Sequence, residues 1–119
     1  MTSEKRKVMV SGLSKKEQLA LKKFRTALEK AIGRNLVEVK LFGSKARGNA
    51  RKESDIDVLV IIATADWHVR DLIYDIVTDF FLEEGIDISP KVINKKNYTR
   101  LLKMRTPFIK NIVRDGIPI

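Results

Sequence analysis

The sequence predicts a single α/β (α+β) domain in which a small mixed β-sheet is flanked by helices. Three observations predict it. Two strand-like runs, Leu36–Phe42 and Ile56–Ile62, lie between two long stretches of helical periodicity. A third apolar run, Ile86–Ile93, follows the second helical stretch, as strand–helix–strand units require. Finally, 119 residues with 44% hydrophobic and 33% charged side chains suit one soluble core of modest size.

Residues 1–13 are basic and polar around Val8-Met9-Val10 and are assigned to an N-terminal arm, leaving 14–119 as the domain. Ser14-Lys15-Lys16-Glu17 is a capping-box pattern, so a helix starts at Ser14. Ala20, Leu21, Phe24, Ala27, Leu28, Ala31 and Ile32 recur on its inner face, and Gly33 suits its end. Val37, Val39 and Leu41 then alternate with Glu38 and Lys40, the mark of a strand with one face covered. Lys45 to Glu53 read as a short helical turn and a loop. Ile56–Ile62 is apolar enough to be central in the sheet.

Thr64-Ala65-Asp66 offers a cap for a long helix that buries Val69, Leu72, Ile73, Ile76, Val77 and Phe80. Gly85 ends it. Pro90 within the third strand places that strand at an edge or in a bulge. Asn94 caps a helix to about Met104, and Thr106-Pro107 starts a last one, closed by Gly116. Ile117-Pro118-Ile119 reads as a short apolar tail.

Composition excludes several chemistries. Without cysteine there is neither a disulfide framework nor a thiolate metal site, and one histidine, His68, cannot make a histidine-rich zinc site. No apolar run approaches a membrane span and the N-terminus lacks a signal-peptide pattern, so a cytoplasmic location and no membrane partner are expected. The net charge of +9 suggests an anionic partner, or simply well-solvated helix faces.

Chemistry concentrates in Leu41–Val60, LFGSKARGNARKESDIDVLV. Asp55 and Asp57 are one residue apart on a strand, so both carboxylates share a face while Ile56 and Val58 take the other. Gly43-Ser44 permits close approach of backbone amides to a phosphate. Paired carboxylates beside such a turn suit a polyphosphate carrying magnesium, a hard cation that takes oxygen ligands.

Gly43-Ser44-Lys45-Ala46-Arg47-Gly48, followed by Ser54-Asp55-Ile56-Asp57-Val58-Leu59-Val60, closely resembles the signature of the DNA polymerase beta-like nucleotidyltransferase superfamily. Its wording and short length are similar to the minimal nucleotidyltransferases (MNT) found beside HEPN-domain proteins in toxin–antitoxin pairs. The resemblance implies the nucleotidyltransferase fold and several roles. Gly43 and Ser44 would hold the β- and γ-phosphates of ATP, with Lys45 and Arg47 as further nucleotide contacts. Asp55 and Asp57 would ligate one or two Mg2+ ions, and Asp87, on a later strand, would complete the metal site and help activate an acceptor hydroxyl. Lys45 stands where the family often has arginine; it keeps the charge but loses the bidentate fork.

The implied reaction is transfer of AMP from ATP to a hydroxyl of a protein partner, with the chain as antitoxin of a HEPN toxin. Two alternatives stand beside it: a non-catalytic antitoxin acting by occlusion, and a small-molecule nucleotidyltransferase of the aminoglycoside-modifying kind. Homodimers or hetero-oligomers are both compatible with the sequence, and direct nucleic-acid binding is not expected. Arg47 reads either as a phosphate contact or as a salt bridge pinning the turn. Trp67, Phe80 and Phe81 read as core or partner-interface residues. Asp71, Asp75 and Asp79 read as a solvated acidic face or a docking face for a basic partner.

Overall fold

The computed structural model describes residues 12–48, 55–64 and 66–119. In chain order these form α1 (Lys15–Ile32), a 3-10 turn (Gly33–Asn35), β1 (Leu36–Phe42), α2 (Gly43–Arg47), β2 (Ile56–Ile62) and α3 (Trp67–Glu84). Then come β3 (Ile88–Asn94), α4 (Lys95–Met104), α5 (Pro107–Asp115) and β4 (Ile117–Pro118).

Local chemistry fixes the helix starts. Ser14 Oγ accepts from the Glu17 amide at 3.1 Å while the Ser14 amide donates to Glu17 Oε1 at 2.9 Å, a complete capping box for α1. Asp66, Asn94 and Thr106 cap α3, α4 and α5 with their side-chain oxygens.

The sheet order is β3-β2-β1-β4. β1 runs antiparallel to β2 and β4, whereas β2 and β3 are parallel, with α3 as their crossover. Alternation then sends the two faces of the sheet to different helices. Ile56, Val58, Val60 and Ile62 join Val39, Leu41, Phe24, Leu28, Ile73 and Phe80 in the larger core under α1 and α3. There Phe24 and Phe80 meet edge to face at 6.0 Å. Leu59 and Ile61 face the other way, against Ile112 of α5 with Phe42, Tyr98 and Phe108 around them.

β3 is an edge strand, as Pro90 predicts. The Ile56 amide donates to the Asp87 carbonyl at 3.0 Å, and with that phase the amides of Ser89, Lys91 and Ile93 point at β2. Position 90 points outward, where a missing N–H costs the ladder nothing.

Three sequence-based expectations need amendment. The tail is a fourth strand: Ile117 and Pro118 pair with Leu41 and Lys40, and the Ile119 amide donates to the Val39 carbonyl at 3.0 Å. Arg25 of α1 donates to the Ile119 carbonyl and holds the tail from the helical side. The third strand begins at Ile88, two residues later than expected. At the N-terminus, Leu13 is buried in the larger core, so the last residue of the stretch assigned to an arm packs with the domain. Residues 1–11 of that arm, the loop from 49 to 54 and Ala65 of the expected cap lie outside the described residues. Among the described residues, no helix is long and apolar enough to cross a membrane.

Candidate active site

The site forms where β1 ends, β2 begins and β3 begins. Phe42 pairs with Asp57, and Ile56 pairs with Ile88, so continuing the parallel register sets Asp55 beside Asp87. All three positions therefore lie on the α4–α5 side of the sheet, Asp57 level with Phe42, which packs on Phe108 of α5.

Immediately after Phe42 the chain turns into α2. Gly43 has φ +75, and a Cβ there would overlap Asp57 Oδ2. Only glycine meets both demands, so the turn and the carboxylate are in direct backbone-to-side-chain contact. Gly48, with φ +80, closes α2, its amide donating to the Ser44 carbonyl at 3.0 Å.

The electrostatics follow from the crowding. Burial pushes the Asp57 carboxyl above its ordinary value, the Asp55 charge adds to the rise, and the Arg47 guanidinium pulls it partly back. Asp87 is also raised, first by lost hydration, then by a side-chain hydrogen bond with Asp55 and by the charge of Asp55. Among the described residues, however, no three acidic or imidazole groups converge on one point ready to hold an ion. The three aspartates are linked in pairs through Asp55.

Lys45 has a different part from the one the resemblance implies. It is 2% exposed and its Nζ lies 2.9 Å from Glu17 Oε2, so its charge is spent inside the protein. Burial alone would raise the Glu17 carboxyl, but the bonds from Ser14 and Lys45 outweigh it and hold the group below its ordinary value. Glu17 thus uses one oxygen to cap α1 and the other to hold α2. Gly12 packs so tightly on α2 that a Cβ there would overlap the Lys45 carbonyl oxygen. Sequence reasoning passed over Glu17 in this role, since its partner is 28 residues away and no local pattern links them.

Arg47 remains exposed, and its charge reaches both Asp57 and Asp115 of α5. Asp115 in turn pairs with Arg114, Nε to Oδ1 at 3.0 Å and Nη2 to Oδ2 at 2.9 Å. Asp115 is a neighbour of the site that the sequence did not single out. His68, the one histidine of the chain, is exposed on the first turn of α3.

Comparison with known proteins bears on the family and the fold. Residues 21–118 match the family model described as a nucleotidyltransferase domain. A Methanocaldococcus jannaschii protein named "Putative protein adenylyltransferase MJ0604" is 32% identical over 100 residues, covering 84% of this chain and 94% of that protein. A second from the same organism, "Putative protein adenylyltransferase MJ0141", is 31% identical over 100 residues, covering 83% of this chain and 94% of that protein. Among solved structures, a nucleotidyltransferase (described as putative) from Sulfolobus solfataricus superposes with TM-score 0.55 at 20% identity, covering 97% of this chain and 82% of its own. A toxin–antitoxin complex, MntA-HpeT, contains a chain that superposes with TM-score 0.53 at 20% identity, covering 82% of this chain and 69% of that one. The fold, the Gly43–Asp57 contact and the family match together lead to one conclusion: the chain belongs to the nucleotidyltransferase family and is a nucleotidyltransferase.

Proposed function

We propose that this nucleotidyltransferase moves AMP from ATP to a hydroxyl of a protein partner, and that the partner is a HEPN-domain toxin for which it serves as antitoxin. The observation that carries the reading is the contact of Gly43 with Asp57, flanked by Asp55 and Asp87. It presses a phosphate-compatible turn against Asp57, whose carboxyl is held above its ordinary value by burial and by the Asp55 charge. The relatives named as protein adenylyltransferases support AMP and a protein acceptor. The toxin–antitoxin neighbours, one of them with AMP-PNP, support a toxin as the partner and a nucleotide as the ligand.

The donor set fits magnesium in kind. Asp55, Asp57 and Asp87 offer hard oxygen ligands, and a cation would offset both the burial and the Asp55 charge that hold the Asp57 and Asp87 carboxyls above their ordinary values. These residues would hold one or two ions, which would neutralise the polyphosphate and polarise the α-phosphoryl group. Gly43 and Ser44 approach the β- and γ-phosphates with backbone and hydroxyl, and exposed Arg47 adds a cation beside them. The acceptor oxygen forms a bond to the α-phosphorus, the bond to the bridging oxygen breaks, and pyrophosphate leaves. Asp87, at the open end of β3, accepts the hydroxyl proton.

One observation favours a second reading. The described carboxylates do not converge on one point, as would suit a site that is merely structural in a protein acting by occlusion. Intact mass of the co-expressed HEPN partner decides between them, after incubation with ATP and magnesium and either wild-type protein or Asp57→Ala. A gain of one or more AMP masses, lost with Asp57→Ala, is the expected result. No gain while the partner stays bound and silent would replace transfer with occlusion.

A further inference from the structure

The long helix α3 carries a surface that nothing in the nucleotidyltransferase site uses. Trp67, Tyr74 and Phe81 are spaced seven residues apart and are 74%, 47% and 53% exposed. A seven-residue repeat on a 3.6-residue helix returns almost to the same angle, so the three rings form one row. The row spans 14 residues, about 21 Å of helix. Asp71, Asp75 and Asp79 form a second row at four-residue spacing that starts beside Trp67 and Tyr74 and winds away from Phe81, with Leu82, 73% exposed, lying between the angles of Asp71 and Asp75. Inward-facing Ile73 and Phe80 occupy the opposite side of the helix.

This surface is an outlier in the molecule. One basic and five acidic residues give α3 a net charge of −4 in a chain of net +9. Large apolar side chains in a row are an exposed patch that water disfavours. The neighbouring sheet edge is blunted, because Pro90 removes an outward amide and Arg70 Nη1 caps the Val92 carbonyl at 3.0 Å. Strand addition at β3 is therefore discouraged, and recognition here must run through the side chains of α3.

We propose that α3 is a docking face for a helix of a partner protein that is amphipathic and basic, its apolar side on the Trp67–Tyr74–Phe81 row and its Lys or Arg side chains on Asp71, Asp75 and Asp79. Charge selects this occupant. An antiparallel two-fold pairing of α3 with a second copy would set the aspartate row against itself, and an acidic helix would meet the same repulsion. Helix-in-groove recognition reads the i, i+3, i+4 and i+7 positions that these two rows supply. The proposal deepens the proposed function and rests on it only for its purpose. α3 ends three residues before Asp87, so a partner lying along it is held beside the end of the sheet that carries the carboxylates.

Trp67 is the only tryptophan of the chain and stands in the docking row, so its emission reports occupancy directly. The probe is an 18-residue leucine–lysine amphipathic helix, with a leucine–glutamate helix of the same pattern as control. The whole protein is cationic, so general electrostatics favours the control peptide and works against the result expected. That result is a saturable blue shift of Trp67 with the lysine peptide only. Tyr74→Ser with Phe81→Ser should weaken binding at least about tenfold, as loss of two aromatic anchors does. Asp71→Asn, Asp75→Asn and Asp79→Asn together should weaken it and flatten its dependence on salt.

No shift, or equal binding of both peptides, overturns the proposal. So does a blue shift that rises with protein concentration alone, which would make a second copy the occupant, its basic groove of Leu102, Arg105, Lys110, Val113 and Arg114 being the counterpart. The titration needs neither nucleotide nor metal, so its failure is read separately from any failure of AMP transfer.

Discussion

Replacing Glu17 by Gln tests the internal wiring of the site. Glutamine is isosteric and still serves a capping box, so the α1 bond to the Ser14 amide survives. What disappears is the negative charge 2.9 Å from Lys45 Nζ, leaving a nearly inaccessible ammonium without a counter-ion. Removing one partner of a buried pair costs about 3–5 kcal/mol. The Glu17 side chain is 15% exposed, which lets some water reach the site and lowers the expectation to about 2–3 kcal/mol. For a domain of this size that corresponds to roughly 8–12 °C in Tm.

The assay is urea unfolding of wild type, Glu17→Gln, Lys45→Met and the double variant, read as a cycle. Because two uncharged residues leave no orphaned ammonium, the double variant should lie within about 1–2 kcal/mol of wild type. The pH dependence has a definite sign. Glu17 is held below its ordinary value of 4.5, so its contribution is fully present above that value and fades as pH falls through the lowered one. The gap between wild type and Glu17→Gln must close in acid. A cost below about 0.5 kcal/mol, with no coupling in the cycle, would show that Lys45 reaches solvent and refute the reasoning.

Gly43→Ala should cost about 1–2 kcal/mol from its left-handed backbone alone. It should also displace Asp57 enough to lower single-turnover AMP transfer roughly 100-fold. Asp57→Asn should raise stability in magnesium-free buffer by about 0.5–1 kcal/mol, because it removes a charge that burial disfavours and Asp55 repels. The Asp57 carboxyl is pushed up, so wild type keeps this contribution below the ordinary value of 3.8 and loses it as pH rises through the raised one. The advantage of the asparagine variant should therefore vanish in acid, which thermal melts across pH will check. Arg70→Gln should free the Val92 carbonyl at the edge strand, cost about 1.5–3 kcal/mol, and increase self-association in sedimentation experiments.

Much of this architecture is legible because its causes are local. The capping box at Ser14 and Glu17, the alternation through β1 and the shared face of Asp55 and Asp57 each depend on residues a few positions apart. Pro90 likewise announces an edge by what its own ring forbids. The features that escaped have distant causes. Lys45 looks like a free cation in the middle of a basic turn, and only the packing of α1 on α2 brings Glu17 to it. β4 is two residues long and contains a proline; it becomes a strand because β1 offers an open edge and Arg25 holds the next carbonyl. Trp67 and Phe81, read as core or partner-interface residues, are exposed for a local reason, their angle on the helix. The coordinating and nucleotide-contacting roles of Asp55, Asp57, Asp87, Gly43, Ser44 and Arg47 remain proposals that the mass measurement addresses.

The mixed pairing of the sheet bears on how the site comes together during folding. β1 and β2 are antiparallel neighbours, and the contact of Gly43 with Asp57 spans a short stretch of chain. Asp87 arrives by the α3 crossover, and parallel pairing of β3 on β2 must close a longer loop before its contacts form. Loop-closure entropy therefore favours forming the Gly43–Asp57 contact before the crossover brings Asp87 into place. A folding intermediate containing α1, β1, α2 and β2 would already display the Gly43–Asp57 contact but no Asp87. Under the proposed mechanism the set of Asp55, Asp57 and Asp87 is therefore complete only once β3 has docked on β2.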